Sequence, residues 1–426
     1  MDLLVSSNEN SAMLATLESA SNANTLPFNY SLEKNIQSHG LLWTEISPQA
    51  NADWSKSTDF DIPKYGYLRS LYLKIKLTSN ATMTASNKGL KCGALGLINN
   101  IELLSSGRRL HFMSSEALRC AISNLNGEDR QACVDGCFIG NHSTMAYTAA
   151  ANGNAEVTSE RIFYVPILLS CFNNIRNISN TRFEEAHRLR ISWTDGKVFW
   201  NGSNALASAT FDSCSLVCEF KRPRQRDDDS IVSLDYGSGQ PLSKVYYEYE
   251  DEVEQSITLS KDNTVTETID VKTNSAIANL FVTVVAPNDG ADSDLATNSA
   301  QPVKLDKIQF KGSGMDIVNL DAELIRLYGH RTLGRGFYGR YAPESEVDKM
   351  CYVYKIQLGL DNNDKYFSNL ASLREVNNPQ VVVTVSQVST ASKLDGKVAK
   401  IHITTQKAHI ISTDPNTGKQ SISLSN

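Results

Sequence analysis

The densest chemistry in the chain lies in one loop of its second half. Gly334, Gly336 and Gly339 in GRGFYG have the spacing G-x-G-x-x-G, which cradles a pyrophosphate when a strand precedes the glycines and a helix follows them. Here a helical stretch (about 320–328, closed by Gly329) comes first and APESE follows. The context that the motif needs is absent, so no nucleotide site is assigned. The same loop interleaves Arg326, Arg331, Arg335 and Arg340 with Phe337, Tyr338 and Tyr341. Arginine among aromatics can hold phosphates and stack on bases, form a protein–protein hot spot, or simply pack on its own domain. Arg331, Arg335, Phe337, Tyr338, Arg340 and Tyr341 are therefore kept as a candidate interface loop, with the other two readings open.

Other reactive groups are scattered. The seven histidines include no H-x-H, and neither H-E-x-x-H, G-x-S-x-G nor a P-loop occurs, so no metal, nucleophile or phosphate-binding constellation is spelled out. Asp289, Asp292 and Asp294 in NDGADSDL offer carboxylates of the kind calcium prefers. They lack the closing glutamate of an EF-hand loop, and a solvated acidic loop explains them as well. KRPRQR is followed at once by DDD, which favours local neutralisation over a nucleic-acid patch. The eight cysteines show no paired C-x-x-C arms, and in SCSLVCEF the alternation of Cys214, Leu216, Cys218 and Phe220 puts thiols on a core-facing strand surface. Free thiols and a reducing compartment are expected. No catalytic residue, cofactor or metal ligand is assigned, and the chain is read as a non-enzyme.

Bulk properties agree with that reading. The 426 residues suffice for two or three domains. A composition of 41% hydrophobic and 21% charged residues is that of an ordinary globular protein, and the net charge of −6 gives no global pull toward nucleic acid. No apolar run reaches the roughly 18 residues of a membrane helix, and MDLLVSSNENSAM does not resemble a secretory signal.

What positions these groups is a repeat. Ile101–Arg119 reads IELLSSGRRLHFMSSEALR, and Ile308–Arg326 reads IQFKGSGMDIVNLDAELIR. Laying Gly107 on Gly314 puts Ile101 on Ile308, Ser106 on Ser313, Glu116 on Glu323 and Arg119 on Arg326. Each copy predicts a strand, a Ser-Gly turn, a second strand and a helical turn carrying Glu and Arg three apart, on one helix face. Gly107 and Gly314 are assigned to turn geometry, which asks for positive φ. Glu116 with Arg119, and Glu323 with Arg326, are assigned to structural pairing. A period of about 200 residues indicates two copies of one domain, not a solenoid.

The flanking strands repeat in the same order. YLRSLYLKIKLT alternates Leu71, Leu73 and Ile75 with Tyr72, Lys74 and Lys76, the period of a half-buried strand. IANLFVTVV matches it, with Leu280, Val282 and Val284 on the same positions; VPILL is laid on IQLGL with Val165 on Ile356, HRLRISW on QVVVTVS, and ATFDSCSLVCEF on VAKIHITTQ. The resulting layout is an N-terminal arm (1–40), a first domain (41–220), a linker (221–244), a second domain (245–412) and a polar tail (413–426). A long polar insertion, about 124–160, falls in the first domain. The predicted fold is all-β: two tandem eight-stranded jelly-roll β-sandwiches in one chain, each with a short helix.

Two jelly rolls of nearly equal size, with the duplicated strand–turn–helix block and the VPILL and IQLGL cores, resemble the double jelly-roll major capsid proteins of tailless icosahedral DNA viruses. That lineage includes the adenovirus hexon, and the compact loops look more like its small phage-type members. The resemblance implies a homotrimer with six rolls in a pseudo-hexameric capsomer, self-assembly into an icosahedral shell, and location in the virion after synthesis in the host cytoplasm. It implies contacts with neighbouring capsomers, with vertex or minor capsid proteins, and with an internal lipid membrane through the N-terminal arm. It brings no cofactor, no catalytic residue and no sequence-specific nucleic-acid contact. The alternatives are a viral spike or a carbohydrate- or receptor-binding β-sandwich, and a two-jelly-roll hydrolase.

Overall fold

The computed structural model describes residues 38–65, 67–79, 94–105, 107–125, 160–169, 186–199, 206–223, 242–273, 276–286, 301–303, 305–325, 353–358, 371–373, 376–388, 394–413 and 420–423. The first half contributes β1 (Ser38–Ile46), β2 (Ser57–Ile62), β3 (Tyr67–Ser79), β4 (Ile98–Ser105), β5 (Arg108–Ser114), helix α1 (Ser115–Ser123), β6 (Glu160–Pro166), β7 (His187–Trp193), β8 (Lys197–Phe199) and β9 (Leu206–Pro223). The second half contributes β10 (Leu242–Thr258), β11 (Val265–Asp270), β12 (Ala276–Ala286), β13 (Gln301–Pro302), β14 (Leu305–Gly312) and β15 (Met315–Asp321). After a helical turn at 322–325 come β16 (Val353–Gln357), β17 (Ala371–Ser372), β18 (Gln380–Val385), β19 (Val398–Thr413) and β20 (Gln420–Ser423).

In the first half the strands pair in the orders β1-β9-β3-β6 and β2-β7-β4-β5, all antiparallel. Apart from the β4–β5 hairpin, consecutive strands of these two sheets alternate between them, the winding of a jelly roll. In the second half β10-β19-β12, with β16 on the far side of β12, faces β11-β18-β14-β15. The expected pair of tandem jelly rolls is therefore present. Strand alternation builds each interior: along β7, Leu189, Ile191 and Trp193 are buried while Arg188 and Arg190 point outward. Cys214, Leu216, Cys218 and Phe220 all face the core, and burial pushes both thiols up to about 12. Cys120, Cys214 and Cys218 are free.

One register expectation needs correcting. Val165 lies opposite Leu73, and Tyr354 lies opposite Val282. Because Leu73 and Val282 are matched positions, the counterpart of Val165 is Tyr354, not Ile356. A slip of two residues keeps every side chain on its face, so strand alternation cannot detect it. The expected helix also starts later, since Leu320 and Asp321 still belong to β15.

The equivalent strands β3 and β12 differ on one face. Outside the core face, β3 carries Tyr72, Lys74 and Lys76, whereas β12 carries Phe281, Thr283 and Val285, all buried. A strand that is apolar on both faces must be covered on both. What covers β12 is the first roll.

Candidate assembly surfaces

Each copy of the repeated block closes its hairpin with a glycine in the left-handed region: φ is +79° at Gly107 and +77° at Gly314. The strand after it ends in a helix cap. Ser114 Oγ accepts the amide of Ala117 at 3.1 Å, and in the second copy an Asp321 carboxylate oxygen accepts the amide of Leu324 at 2.9 Å. An oxygen three residues before the amide is the usual N-cap solution. Glu116 and Arg119 approach to 3.5 Å with both side chains almost fully buried. Glu323 is exposed. Arg326, the candidate loop Arg331, Arg335, Phe337, Tyr338, Arg340 and Tyr341, the arm, and Asp289, Asp292 and Asp294 lie outside the described residues. Among the described residues no group of His, Cys, Asp or Glu is placed to hold a metal ion.

The two halves of the repeat have different surroundings. Helix α1 and β5 of the first roll lie on β10, β19 and β16 of the second. Tyr246, Tyr249, Phe281, Val285 and Val353 of the second roll thereby join the first roll's hydrophobic core. Burying aromatic and aliphatic groups of this size contributes about 1.5–3 kcal/mol each. Polar groups complete the seam. The Ser114 amide donates to Asp251 at 3.2 Å, at the positive end of α1. At the helix's other end Asn124 donates to the Tyr249 hydroxyl and accepts from Lys355 Nζ, both at 2.8 Å.

A buried charged cluster lies beside this seam. His111 Nε2 of β5 is 3.2 Å from a Glu248 carboxylate oxygen of β10. Glu250 is 2.9 Å from His409 Nε2 and 2.8 Å from Lys407 Nζ, which is also 2.6 Å from Glu252. Burial raises the Glu250 carboxyl, yet the hydrogen bonds from His409 and Lys407 outweigh it and hold the group down at about 2. Burial dominates at His111 and pushes it down to about 4, against the attraction of Glu250 and with help from His409. Burial also raises Asp251, despite its bonds to Ser114 and Thr404.

The first roll's corresponding outer sheet surface is open. Trp43 is 55% exposed, Tyr164 36% and Leu42 43%. Trp43 stacks on Tyr72 with ring centroids 6.3 Å apart. Sequence reasoning singled out none of these residues. The available signals were the unbroken apolar run of β12 and one outward aromatic residue on each of β1, β3 and β6.

Two sandwiches wound in this way define a double jelly roll. Among solved structures the chain is similar to the PBCV-1 virus capsid, with TM-score 0.64 and 12% identity over 91% of this chain and 97% of that one. It is similar to the Faustovirus major capsid protein (TM-score 0.56, 10% identity, 87% and 90% covered) and to the mavirus major capsid protein (TM-score 0.52, 12% identity, 90% and 90% covered). The chain thus has the fold of double jelly-roll major capsid proteins. Neither a family model nor a curated protein matches the sequence.

Proposed function

We propose that this chain is a major capsid protein, a structural subunit that assembles with copies of itself into a virus shell. The observation that carries the reading is the shared fold over nearly the full length of both chains, 91% of this one and 97% of the PBCV-1 capsid structure. In the finer reading, three copies form a capsomer with six rolls and pseudo-hexagonal outline. Rolls 41–220 and 245–412 are its two repeating units, and the arm 1–40 runs along the inside of the shell, against neighbours or a lipid membrane. The loop from Arg331 to Tyr341 meets adjoining capsomers or minor capsid proteins. Gly107 and Gly314 set the turns, and Glu116–Arg119 with Glu323–Arg326 serve as structural pairs. Such rotational contacts close into rings that can tile a shell. The protein acts in the virion, after synthesis in the host cytoplasm, without enzymatic activity or sequence-specific nucleic-acid binding. Electron microscopy of the purified full chain, with its mass in solution, tests this: the expected result is a particle of three times 46.9 kDa that forms hexagonal arrays. A stable single chain that binds glycans or hydrolyses a substrate would overturn it.

A further inference from the structure

The two hydrophobic cores are unequal in what they need. Among the described residues, every buried side chain of the second roll's core, from Ile257 to Ile403, comes from that roll. The first roll's core includes Tyr246, Tyr249, Phe281, Val285 and Val353 of the second. Dependence therefore runs one way. Taking the first roll away would uncover one outer sheet face of the second, whereas taking the second away would strip five large residues from the core of the first.

Helix α1 concentrates that dependence. All nine of its residues are buried. Cover comes from β4, β5 and the 3-10 turn Ala94–Leu97 of its own roll, and from β10, β19 and β16 of the other. Its ends are tied to the second roll too: Asp251 accepts the Ser114 amide, and Tyr249 and Lys355 hold Asn124. The strand leading into it, β5, is the edge of its sheet, with β4 as its neighbour. A helix of nine residues has too little local drive to persist alone in water. The platform beneath it is built without the first roll. Thr404 holds Asp251 at 3.1 Å, Tyr249 lies opposite Gln406, which accepts from Asn279 at 2.6 Å, and Lys355 lies opposite Phe281.

We infer that α1 and β5 form a strap that closes only on the folded second roll, so that the second roll folds first and then completes the first. What drives closure is the covering of Tyr246, Tyr249, Phe281, Val285 and Val353, an apolar surface that exists once β10, β12, β16 and β19 have paired. The buried Glu116–Arg119 pair, 3.5 Å apart, adds little to a strap still in water. Synthesis runs in the opposite direction, and domains of a growing chain generally fold with the N-terminal one leading. Here the first roll waits, and a half-made chain carries no finished first roll. All of these contacts lie within one chain, so the order holds whether or not the chain builds a shell.

Hydrogen exchange on two full-length variants, read segment by segment, tests the asymmetry. Leu118→Asp places a charge on the strap, where Leu118 is 0% exposed, and Phe310→Asp places one in the second roll's core, where Phe310 is 1% exposed. The Leu118 variant is expected to lose protection in α1, β4 and β5 while β14 and β18 stay protected. The Phe310 variant is expected to lose protection in both rolls. Loss in both rolls from Leu118→Asp, or a first roll that stays protected in the Phe310→Asp chain, would overturn the one-way dependence. Refolding of the unaltered chain from urea supplies a measurement that needs no variant. Pulse labelling is expected to protect the amides of β14 and β18 before those of α1 and β4, and simultaneous protection, or α1 first, would overturn the order.

Discussion

At the scale of single residues, the repeat is held by backbone geometry and by one buried ion pair. Gly314 has φ of +77° and no atom within 4 Å of where a Cβ would sit, so its substitution costs conformational energy alone. Gly314→Ala should destabilise the second roll by about 1–2 kcal/mol, and Gly314→Val by more, because branching at Cβ crowds that region further. Thermal unfolding checks this, and an unchanged midpoint for the valine variant would mean that the turn carries no constraint. Arg119 is 1% exposed and Glu116 likewise. Arg119→Ala would leave the Glu116 carboxylate in the interior with its partner gone, at a cost of about 3–5 kcal/mol. Arg119→Met with Glu116→Gln should recover much of that loss in urea unfolding, since a neutral packed pair avoids the desolvated charge. Arg190 and Asp59, 2.8 Å apart nearer the surface, should matter far less, within about 1 kcal/mol.

Among elements, the seam between rolls is the part that responds to pH. His111 on β5 faces Glu248 and Glu250 of β10 and His409 of β19, with Lys407 beside Glu250. Glu116 and Arg119 of α1 and Asp251 of β10 lie on the same seam. Burial depresses His111 from 6.5 to about 4, so the folded seam holds it neutral. A base with a lowered folded pKa stabilises the fold above its unfolded pKa. That contribution is lost as pH falls from about 6.5 to about 4, where protonation favours the opened state. The full effect is about 3 kcal/mol at roughly 1.4 kcal/mol per pKa unit. Urea unfolding between pH 7 and pH 4 should therefore show a loss of stability that His111→Phe reduces. An identical pH profile in that variant would remove His111 as its source. The element-level pattern was legible in part: alternation along β3 and β9 pointed to the right core faces, and the Ser-Gly hairpin was visible twice. The two-residue slip of Val165 onto Ile356 was not, because a period of two looks the same after a shift of two.

For the whole molecule, the two rolls meet within the chain through apolar packing and buried polar groups. Screening acts strongly on exposed charges and little on buried apolar surface. The thermal midpoint of the folded chain should therefore change little when ionic strength rises from about 0.1 to 1 M, as calorimetry would show. A large loss of stability in high salt would assign the seam's strength to its charged groups instead.

The sequence by itself determined the duplication, the all-β character, the order of strands and the residues at the Ser-Gly turns. These depend on local backbone preference and on alternation between two faces, both of which are written in neighbouring residues. It also carried an unread clue, the apolar second face of β12. Only the tertiary structure decided which roll covers that face, that His111 meets Glu248 across more than 100 positions of chain, and that Trp43 and Tyr164 on the first roll's outer sheet stay exposed. Alternation states that a face is apolar. What lies against it is a matter of long-range packing, set by how two whole sandwiches fit together.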